Sequence, residues 1–339
     1  MKIGRAVAAG VGLSIGFVVA YSLIFGVRFE DLASISLTTL IAASTLIFLR
    51  LLIQGIRFYL LTCVLNVRAG IASSVVARVS SEFVSLSTPT FIGGEAVRLA
   101  WLKARGADLG QATWIIFWEI YLDVVSTALV VYASASYLLL CGEYLLASLA
   151  ALISTTTTAF FTFIYLFSKK SVLHIPKWLQ KIVRFFFGES RGGRVITSLN
   201  QNLLSYHSSA INMNIIYTYK RTIGILLCTA LMILLSGAVT QLVIGGSLSL
   251  RGLLLSTSGF HISLVIGTLP ITIGGSGVSE LVLNHFATNV FGSSNWVRVI
   301  AWRIITYHIP LTISGLALAV LSYKEFVARK IRSHTLKLG

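Results

Sequence analysis

The sequence predicts an all-α integral membrane protein with about six full transmembrane helices and two re-entrant helical hairpins in an inverted-repeat arrangement. Hydrophobic residues make up 56% of the 339 residues and charged residues 11%, whereas a soluble domain carries about a quarter charged residues. The apolar residues form continuous blocks of about the 20 residues that a helix needs to cross a bilayer. Such blocks exclude a β-barrel, whose strands alternate apolar and polar residues. A third observation, an internal repeat, distinguishes the hairpins from ordinary spans.

The apolar blocks give six full spans, at about residues 6–26, 36–65, 111–140, 144–167, 222–244 and 297–323. The first block follows Lys2 and Arg5. It is long for a signal peptide and has no small-residue cleavage site before a polar mature start, so we interpret it as a retained span. We predict one membrane domain over residues 1–339, with repeat halves at about 36–140 and 222–323.

The basic residues indicate the orientation. The formal net charge is +16, and the basic residues concentrate in a loop at 169–221 and in the C-terminal tail, as is typical of cytoplasmic segments. We therefore predict a multi-pass protein of the cell (plasma) membrane with the N-terminus, loop 169–221 and C-terminus in the cytoplasm. The placement argues against nucleic acid as a partner and is compatible with anionic lipid headgroups. Residues 172–186 interleave apolar and basic side chains, which suits either an interfacial helix or a connector.

Two segments do not fit full crossings of the membrane. Only 36 residues separate Arg68 from Arg105, which are both predicted to be cytoplasmic, and two crossings need about 40 residues plus a turn. This segment also contains Arg78, Glu82 and several serines, which do not face lipid. It fits a hairpin that enters from the cytoplasm and returns, buried against protein. Residues 251–296 fit a second hairpin that enters from outside.

One motif is repeated in the two hairpins. Residues 80–94 read SSEFVSLSTPTFIGG, and residues 261–275 read HISLVIGTLPITIGG. Both contain Pro-x-x-x-Gly-Gly at an offset of 181 residues, at Pro89, Gly93 and Gly94 and at Pro270, Gly274 and Gly275. Inverted repeats whose broken helices meet near the midplane are typical of transporters. The alternative is that each motif is only a turn between two ordinary spans.

The repeated motif suggests an anion site. A proline ends the incoming half-helix, and two glycines permit a tight reversal with free backbone N–H groups. The next half-helix then begins at membrane depth with its positive dipole end exposed. Two such ends, arriving from opposite faces, would cradle a phosphate group.

Polar side chains inside the apolar segments complete the predicted site, because such residues usually face a cavity or one another. Arg50, Gln54 and Arg57 share one helical face. With the motif residues, the predicted lipid-binding set is Arg50, Gln54, Arg57, Glu82, Pro89, Gly93, Gly94, Glu95, Arg98, Glu119, Asp123, Pro270, Gly274, Gly275, Gly277, Glu280 and Arg303. One interpretation is a groove whose arginines hold a lipid phosphate. The other is mutual neutralisation, with Arg50 or Arg303 paired with Glu119 or Asp123.

The sequence indicates no cofactor, no metal and no catalytic site. Cys63, Cys141 and Cys228 lie singly in apolar blocks, without disulfide or metal-ligand spacing. The sequence contains neither a glycine-rich phosphate loop followed by Lys-Ser/Thr nor a nucleophile elbow. His261 precedes the second motif and fits a satisfied buried histidine better than a proton relay. We therefore expect that the protein is not an enzyme.

The boxes around the two motifs carry a family resemblance. The stretches LLIQGIRFYLLTCVL, EFVSLSTPTFIGGEAVRLAWLKARG and LPITIGGSGVSELVL resemble the lysylphosphatidylglycerol synthase transmembrane-region family over about residues 4–325. The strongest box runs from Pro89 to Arg98, whereas the second lacks a proline that family members often carry. The resemblance implies a flippase-like membrane domain. The aminoacyl-transfer domain fused to it in some members has no counterpart here, so we do not expect lipid aminoacylation.

The resemblance and the residues together predict a flippase or scramblase-like transporter for an anionic phospholipid or a polyprenyl-phosphate lipid. Two alternatives remain open at this point: an intramembrane enzyme acting on a lipid-linked substrate, and a non-transporting lipid-binding accessory protein that recruits a partner through the basic loop. The expected partner in each case is an anionic membrane lipid or a lipid-linked phosphate. Homo-oligomerisation is also open.

Overall fold

The computed structural model describes residues 29–88, 93–170, 188–212, 219–245, 249–269, 274–292 and 296–335, with residues 12, 16, 19, 20, 23, 24, 26, 176–178, 180, 181 and 184. This part of the chain is helical and contains no strand, which confirms the predicted all-α class. The predicted first span and the amphipathic candidate at 172–186 lie largely outside the described residues. Pro89 and Pro270 lie outside them as well.

The described residues form a short helical turn, Phe29–Leu32, followed by helices that we number in chain order. They are α1 (Leu37–Val64), α2 (Ile71–Leu86), α3 (Gly94–Ala104), α4 (Leu109–Leu140), α5 (Tyr144–Lys170), α6 (Glu189–Asn212), α7 (Tyr219–Thr240), α8 (Leu250–Gly267), α9 (Val278–Phe291), α10 (Trp296–Arg303) and α11 (Ile309–Thr335). A π-helical turn extends α7 over Gln241–Gly245, and another, Ile304–His308, joins α10 to α11. Such turns are frequent at functional sites.

Six helices in the described residues are long and apolar enough to cross a membrane. Five of them, at 37–64, 109–140, 144–170, 219–245 and 296–323, match predicted spans. The sixth, Leu250–Gly267, is the first arm of the predicted second hairpin, and its 18 residues are near the lower limit for a crossing. Large apolar side chains on these helices face outward, for example Leu145, Leu152 and Leu227. This outward apolar surface is what a lipid-facing protein requires.

The two repeated motifs each join a pair of packed helices, α2 to α3 and α8 to α9. The first helix of each pair ends at an equivalent position, Leu86 or Gly267, which are 181 residues apart. A Cβ atom at Gly94 would collide with the carbonyl of Ser81 and the hydroxyl of Ser85, so the start of α3 lies directly on the last turns of α2. Their re-entrant position in a bilayer stays a prediction.

Close helix contacts hold the two halves together. The helices that open the halves, α1 and α7, pack against each other. The first helix of each pair packs on a span from the opposite half, α2 on α11 and α8 on α4. Small residues permit these approaches: a Cβ at Gly55 of α1 would lie 2.6 Å from the Cα of Val75 in α2. Gly237 of α7 leaves no room for a Cβ against Thr257 of α8.

Two segments that the sequence analysis treated as loop and tail are helical. The basic loop 169–221 contains the 24-residue helix α6, and α11 continues past the predicted end of the last span to Thr335. Helix α6 is docked rather than free. The backbone of Tyr206 lies against Gly110 of α4, the ring of Tyr206 meets Trp114 edge to face at 5.1 Å, and Nδ1 of His207 lies 2.6 Å from the carbonyl oxygen of Ser168. Helix α6 is therefore a packed part of the fold.

Candidate functional site

A cavity of about 850 Å³ lies between the two helix pairs, within the usual size range of ligand pockets. Side chains from both halves line it, contributed by α1 to α5, α7 to α9 and the segment around Trp302. The lining includes charged and hydroxyl groups of α1, α2 and α3. It also includes apolar residues of α4, α5 and α8, such as Ile120, Phe161 and Leu264. The cavity thus offers polar and apolar walls to one ligand.

Glu119 of α4 is the centre of a buried ion-pair network beside this cavity. Its side chain is fully buried. One carboxylate oxygen accepts a hydrogen bond from Nε of Arg78 at 2.7 Å, and the other accepts one from Arg98 at 2.5 Å. Arg57 approaches within 3.7 Å. Three arginines from three helices therefore converge on one carboxylate.

Three further carboxylates belong to the network, those of Asp123, Glu82 and Glu95, and Glu95 accepts from Arg98 at 2.9 Å. Arg57 of α1 binds Asp123 bidentately, at 2.5 and 2.8 Å, and also donates to the Thr229 hydroxyl at 3.3 Å. Arg78 donates to Glu82, one turn away on α2, at 2.7 Å. Removing one partner from a buried pair of this kind costs about 3–5 kcal/mol, because the other charge is left uncompensated. The network therefore ties α1, α2, α3 and α4 together.

These pairings differ from the ones that the neutralisation hypothesis named. Glu119 and Asp123 do engage arginines, but the arginines are Arg57, Arg78 and Arg98. Neither Arg50 nor Arg303 pairs with them. Arg303 instead contacts Glu280 of α9 at 2.8 Å. That contact is an ion pair without hydrogen-bond alignment, since the two atoms involved have no hydrogen-bond partner among the described residues.

Arg50 and Gln54 remain as polar groups of the cavity wall. They lie one helical turn apart on α1 and both line the cavity. Among the residues that the structure describes, neither makes a hydrogen bond, and Nε of Arg50 and Oε1 of Gln54 are buried without a partner. Gln54 is only 4% exposed. Buried polar atoms normally find partners, so these groups are unusual within the described structure.

The helix N-termini that the sequence analysis expected to be free are capped from within the protein. In the first pair, the Gly93 N–H donates to Oε2 of Glu95 at 2.6 Å. In the second pair, the Gly277 N–H donates to Oε2 of Glu280 at 2.8 Å. Gly93 adopts φ +132°, a conformation open to glycine. A glutamate thus accepts from a glycine N–H at the start of the second helix of both pairs, within the first motif and just after the second.

Tyr307 connects the two helix pairs. Its hydroxyl donates to the carbonyl oxygen of Leu86, the last residue of α2, at 2.8 Å. Its ring lies beneath the guanidinium of Arg303 at 4.0 Å, and Arg303 donates to the carbonyl oxygen of Gly274 at 2.6 Å and to the Ser276 hydroxyl at 3.0 Å. The end of α2 and the turn before α9 are therefore linked through two stacked side chains at the cavity, those of Tyr307 and Arg303.

The predicted site residues fall into three groups. Eight line the cavity: Arg50, Gln54, Glu82, Gly93, Glu95, Arg98, Asp123 and Arg303. Seven lie behind it as packing, capping or ion-pair residues: Arg57, Gly94, Glu119, Gly274, Gly275, Gly277 and Glu280. The third group, Pro89 and Pro270, lies outside the described residues.

The predicted set left out two residues that carry much of the geometry. Arg78 joins Glu119 to Glu82, and its spacing of four residues from Glu82 on one helix face was a usable signal. Tyr307 gave no comparable signal. Its importance depends on Leu86, which is 221 residues away in the chain.

Comparison with known proteins gives two matches. Residues 5–315 match the family model described as the lysylphosphatidylglycerol synthase TM region. The chain is also 26% identical over 266 residues to a protein of Archaeoglobus fulgidus named UPF0104 membrane protein, with 76% of this chain and 78% of that protein covered.

Proposed function

This chain belongs to the lysylphosphatidylglycerol synthase transmembrane-region family, and we propose that it is a transporter that moves an anionic phospholipid or a polyprenyl-phosphate lipid between leaflets. It is an integral multi-pass membrane protein of a lipid-related family. The family match alone names neither the activity nor the lipid. The proposal therefore rests on the cavity.

The observation that carries the proposal is that Arg50 lines the cavity without a hydrogen bond to any described residue. Arg57, Arg78 and Arg98 are already bonded to carboxylates, whereas Arg50 makes no hydrogen bond to any described residue and lines the cavity. Guanidinium groups bind phosphate through charge-assisted, often bidentate hydrogen bonds. Among the described residues of the cavity wall, Arg50 is thus an arginine without a bonded carboxylate that can bind a headgroup phosphate, with Gln54 beside it.

The shape of the fold supports movement of the bound lipid. Each helix pair packs on a span from the other half of the chain, α2 on α11 and α8 on α4. Packing of each pair on the other half suits two repeats that rock against each other around a shared site, as in transporters built from inverted repeats. We propose that the cavity opens alternately to the two leaflets while the acyl chains stay in lipid.

We also propose that the protein performs no chemistry on the lipid. The carboxylates that an enzyme would use as acid or base are held by arginines, and Glu119 is fully buried. Mass spectrometry of lipids recovered after incubation with purified protein tests this point. A converted lipid would favour the enzyme alternative.

Headgroup translocation in liposomes tests the transport proposal. Purified protein is reconstituted with fluorescent phosphatidylglycerol, a fluorescent zwitterionic lipid or a labelled polyprenyl phosphate, and a membrane-impermeant quencher reports the protected inner leaflet. We expect protein-dependent loss of protection for an anionic lipid. Arg50→Gln should slow it at least about tenfold, the loss of one charge-assisted contact. Arg251→Gln, the same change at an exposed position, is the matched control.

One outcome would count against transport, and another would count only against the role of Arg50. If folded, inserted protein moves none of the lipids, the accessory or enzyme alternatives gain support. If Arg50→Gln and Arg251→Gln both transport at the wild-type rate, Arg50 is not the phosphate contact.

A further inference from the structure

We propose that the carboxylate of Glu95 is a displaceable internal anion, occupying a subsite at the start of α3 that receives a phosphate group. This inference rests on the proposed function and specifies how the same cavity binds and releases its ligand. The phosphate can belong to a lipid headgroup or to free inorganic phosphate, and the experiment below separates the two sources.

Glu95 is bonded to the donors that a phosphate would use. Its Oε2 accepts from the Gly93 N–H at 2.6 Å, and its Oε1 accepts from the guanidinium of Arg98 at 2.9 Å. A helix N-terminus and an arginine are typical phosphate-binding groups. Because these donors already point at one anion, a phosphate can replace the carboxylate without rearranging the backbone.

Arg98 keeps its position without Glu95. A second nitrogen of its guanidinium donates to Glu119 at 2.5 Å, and the whole residue is 3% exposed. Its Nε is buried with no partner among the described residues. Displacing Glu95 therefore leaves a fixed guanidinium with unused donors at the cavity wall.

In the second helix pair, Glu280 makes similar contacts but is buried. Glu280 also accepts from a glycine N–H and contacts an arginine, Arg303. Its side chain is only 2% exposed, whereas that of Glu95 is 32% exposed and lines the cavity. Glu280 is sealed into the protein, but Glu95 can turn towards the cavity and leave its donors to another anion.

Two polar side chains of α1 independently point to a ligand. Gln54 is 4% exposed and its Oε1 has no hydrogen-bond partner among the described residues. Nε of Arg50, one turn away, is also buried without a hydrogen-bond partner among the described residues. Both line the cavity together with Gly93, Glu95 and Arg98. A bound headgroup would provide partners for these polar atoms of α1 as well as for Arg98.

Lipid binding by a Glu95→Gln variant tests the inference. Removing the negative charge eliminates the competing anion while keeping the side-chain length and an oxygen acceptor. We expect phosphatidylglycerol to bind about two- to fivefold more tightly, which matches the modest strength of a half-exposed ion pair and a helix-terminus contact. Native mass spectrometry of detergent-solubilised protein titrated with phosphatidylglycerol measures this, and phosphatidylcholine serves as the lipid without net charge.

Glu189→Gln is the matched control, since Glu189 is exposed on α6, outside the cavity, and should leave affinity unchanged. A Glu95→Ala variant repeats the test without any acceptor. A parallel titration with inorganic phosphate identifies the source. Tighter binding of phosphatidylglycerol alone assigns the subsite to a lipid headgroup, and tighter binding of both ligands assigns it to phosphate from either source.

The outcomes that overturn the inference differ from those that overturn transport. If wild-type protein binds no anionic ligand, the proposed function fails. If wild-type protein binds phosphatidylglycerol and both Glu95 variants bind it equally or more weakly, only the displacement idea fails. If both variants fail to fold, as judged by thermal unfolding, Glu95 is a structural cap and the inference is wrong.

Discussion

Replacing Glu119 by glutamine should destabilise the protein strongly, because it removes the one carboxylate that three arginines share. The fully buried side chain accepts hydrogen bonds from Arg78 at 2.7 Å and from Arg98 at 2.5 Å, with Arg57 at 3.7 Å. Glutamine has nearly the same shape but carries no charge, so Arg78 and Arg98 lose their shared carboxylate and keep Glu82 and Glu95. Breaking a buried pair costs about 3–5 kcal/mol, so we expect a loss of stability in this range.

Thermal unfolding in detergent, followed by tryptophan fluorescence, measures the effect for Glu119→Gln. The control is Glu189→Gln, which loses only an exposed contact with Arg184 at 3.3 Å and should change stability by less than about 1 kcal/mol. The double variant Arg78→Gln/Glu119→Gln should lose less stability than the sum of the two single losses, since both changes break the same Arg78–Glu119 contact. Equal unfolding temperatures for wild type and Glu119→Gln would refute the assignment of Glu119 as the centre of the network.

Three further predictions follow from the helix pairs and the orientation. Gly94→Leu should prevent α3 from packing on α2, because no Cβ fits there; we expect little folded protein in size-exclusion chromatography, and a normal monodisperse yield would contradict the packing. Tyr307→Phe removes the hydroxyl contact to the end of α2, so the free energy of unfolding should fall by about 0.5–1.5 kcal/mol. Amide hydrogen exchange in α2 should become faster, because the end of this helix is held less firmly beside the cavity. Cys141, exposed in the turn between α4 and α5, should react with a membrane-impermeant maleimide in whole cells if the N-terminus is cytoplasmic; labelling only after lysis would reverse the proposed orientation.

The sequence by itself determined the class of the protein and the positions at which the helices of each pair end. Long apolar blocks are sufficient to fix transmembrane helices, because a backbone in lipid has few other ways to satisfy its hydrogen bonds. The repeated Pro-x-x-x-Gly-Gly motif located both helix pairs, and the first helix of each pair ends 181 residues from its counterpart. Local chemistry, namely proline and glycine at a turn, decides such breaks within a few residues.

Helix α6 could not be predicted from the local sequence pattern. Its sequence has no long apolar block, so the sequence alone predicts only a basic loop there. It is held by contacts from elsewhere in the chain, including the aromatic contact between Trp114 and Tyr206 and the close approach of Gly110. Tertiary packing of this kind does not appear in a single sequence as a pattern.

Only the tertiary structure decided which charges pair and which remain available. Arg50 and Arg57 lie on one face of α1, yet Arg57 binds Asp123 and Arg50 binds no described residue. The choice depends on the depth and rotation of α4 relative to α1, set by packing between residues distant in the chain. The same holds for Glu95 and Glu280, whose local roles are alike but whose exposure, 32% against 2%, comes from their surroundings. Sequence spacing places charges on a face, whereas burial and partner geometry determine what each charge does.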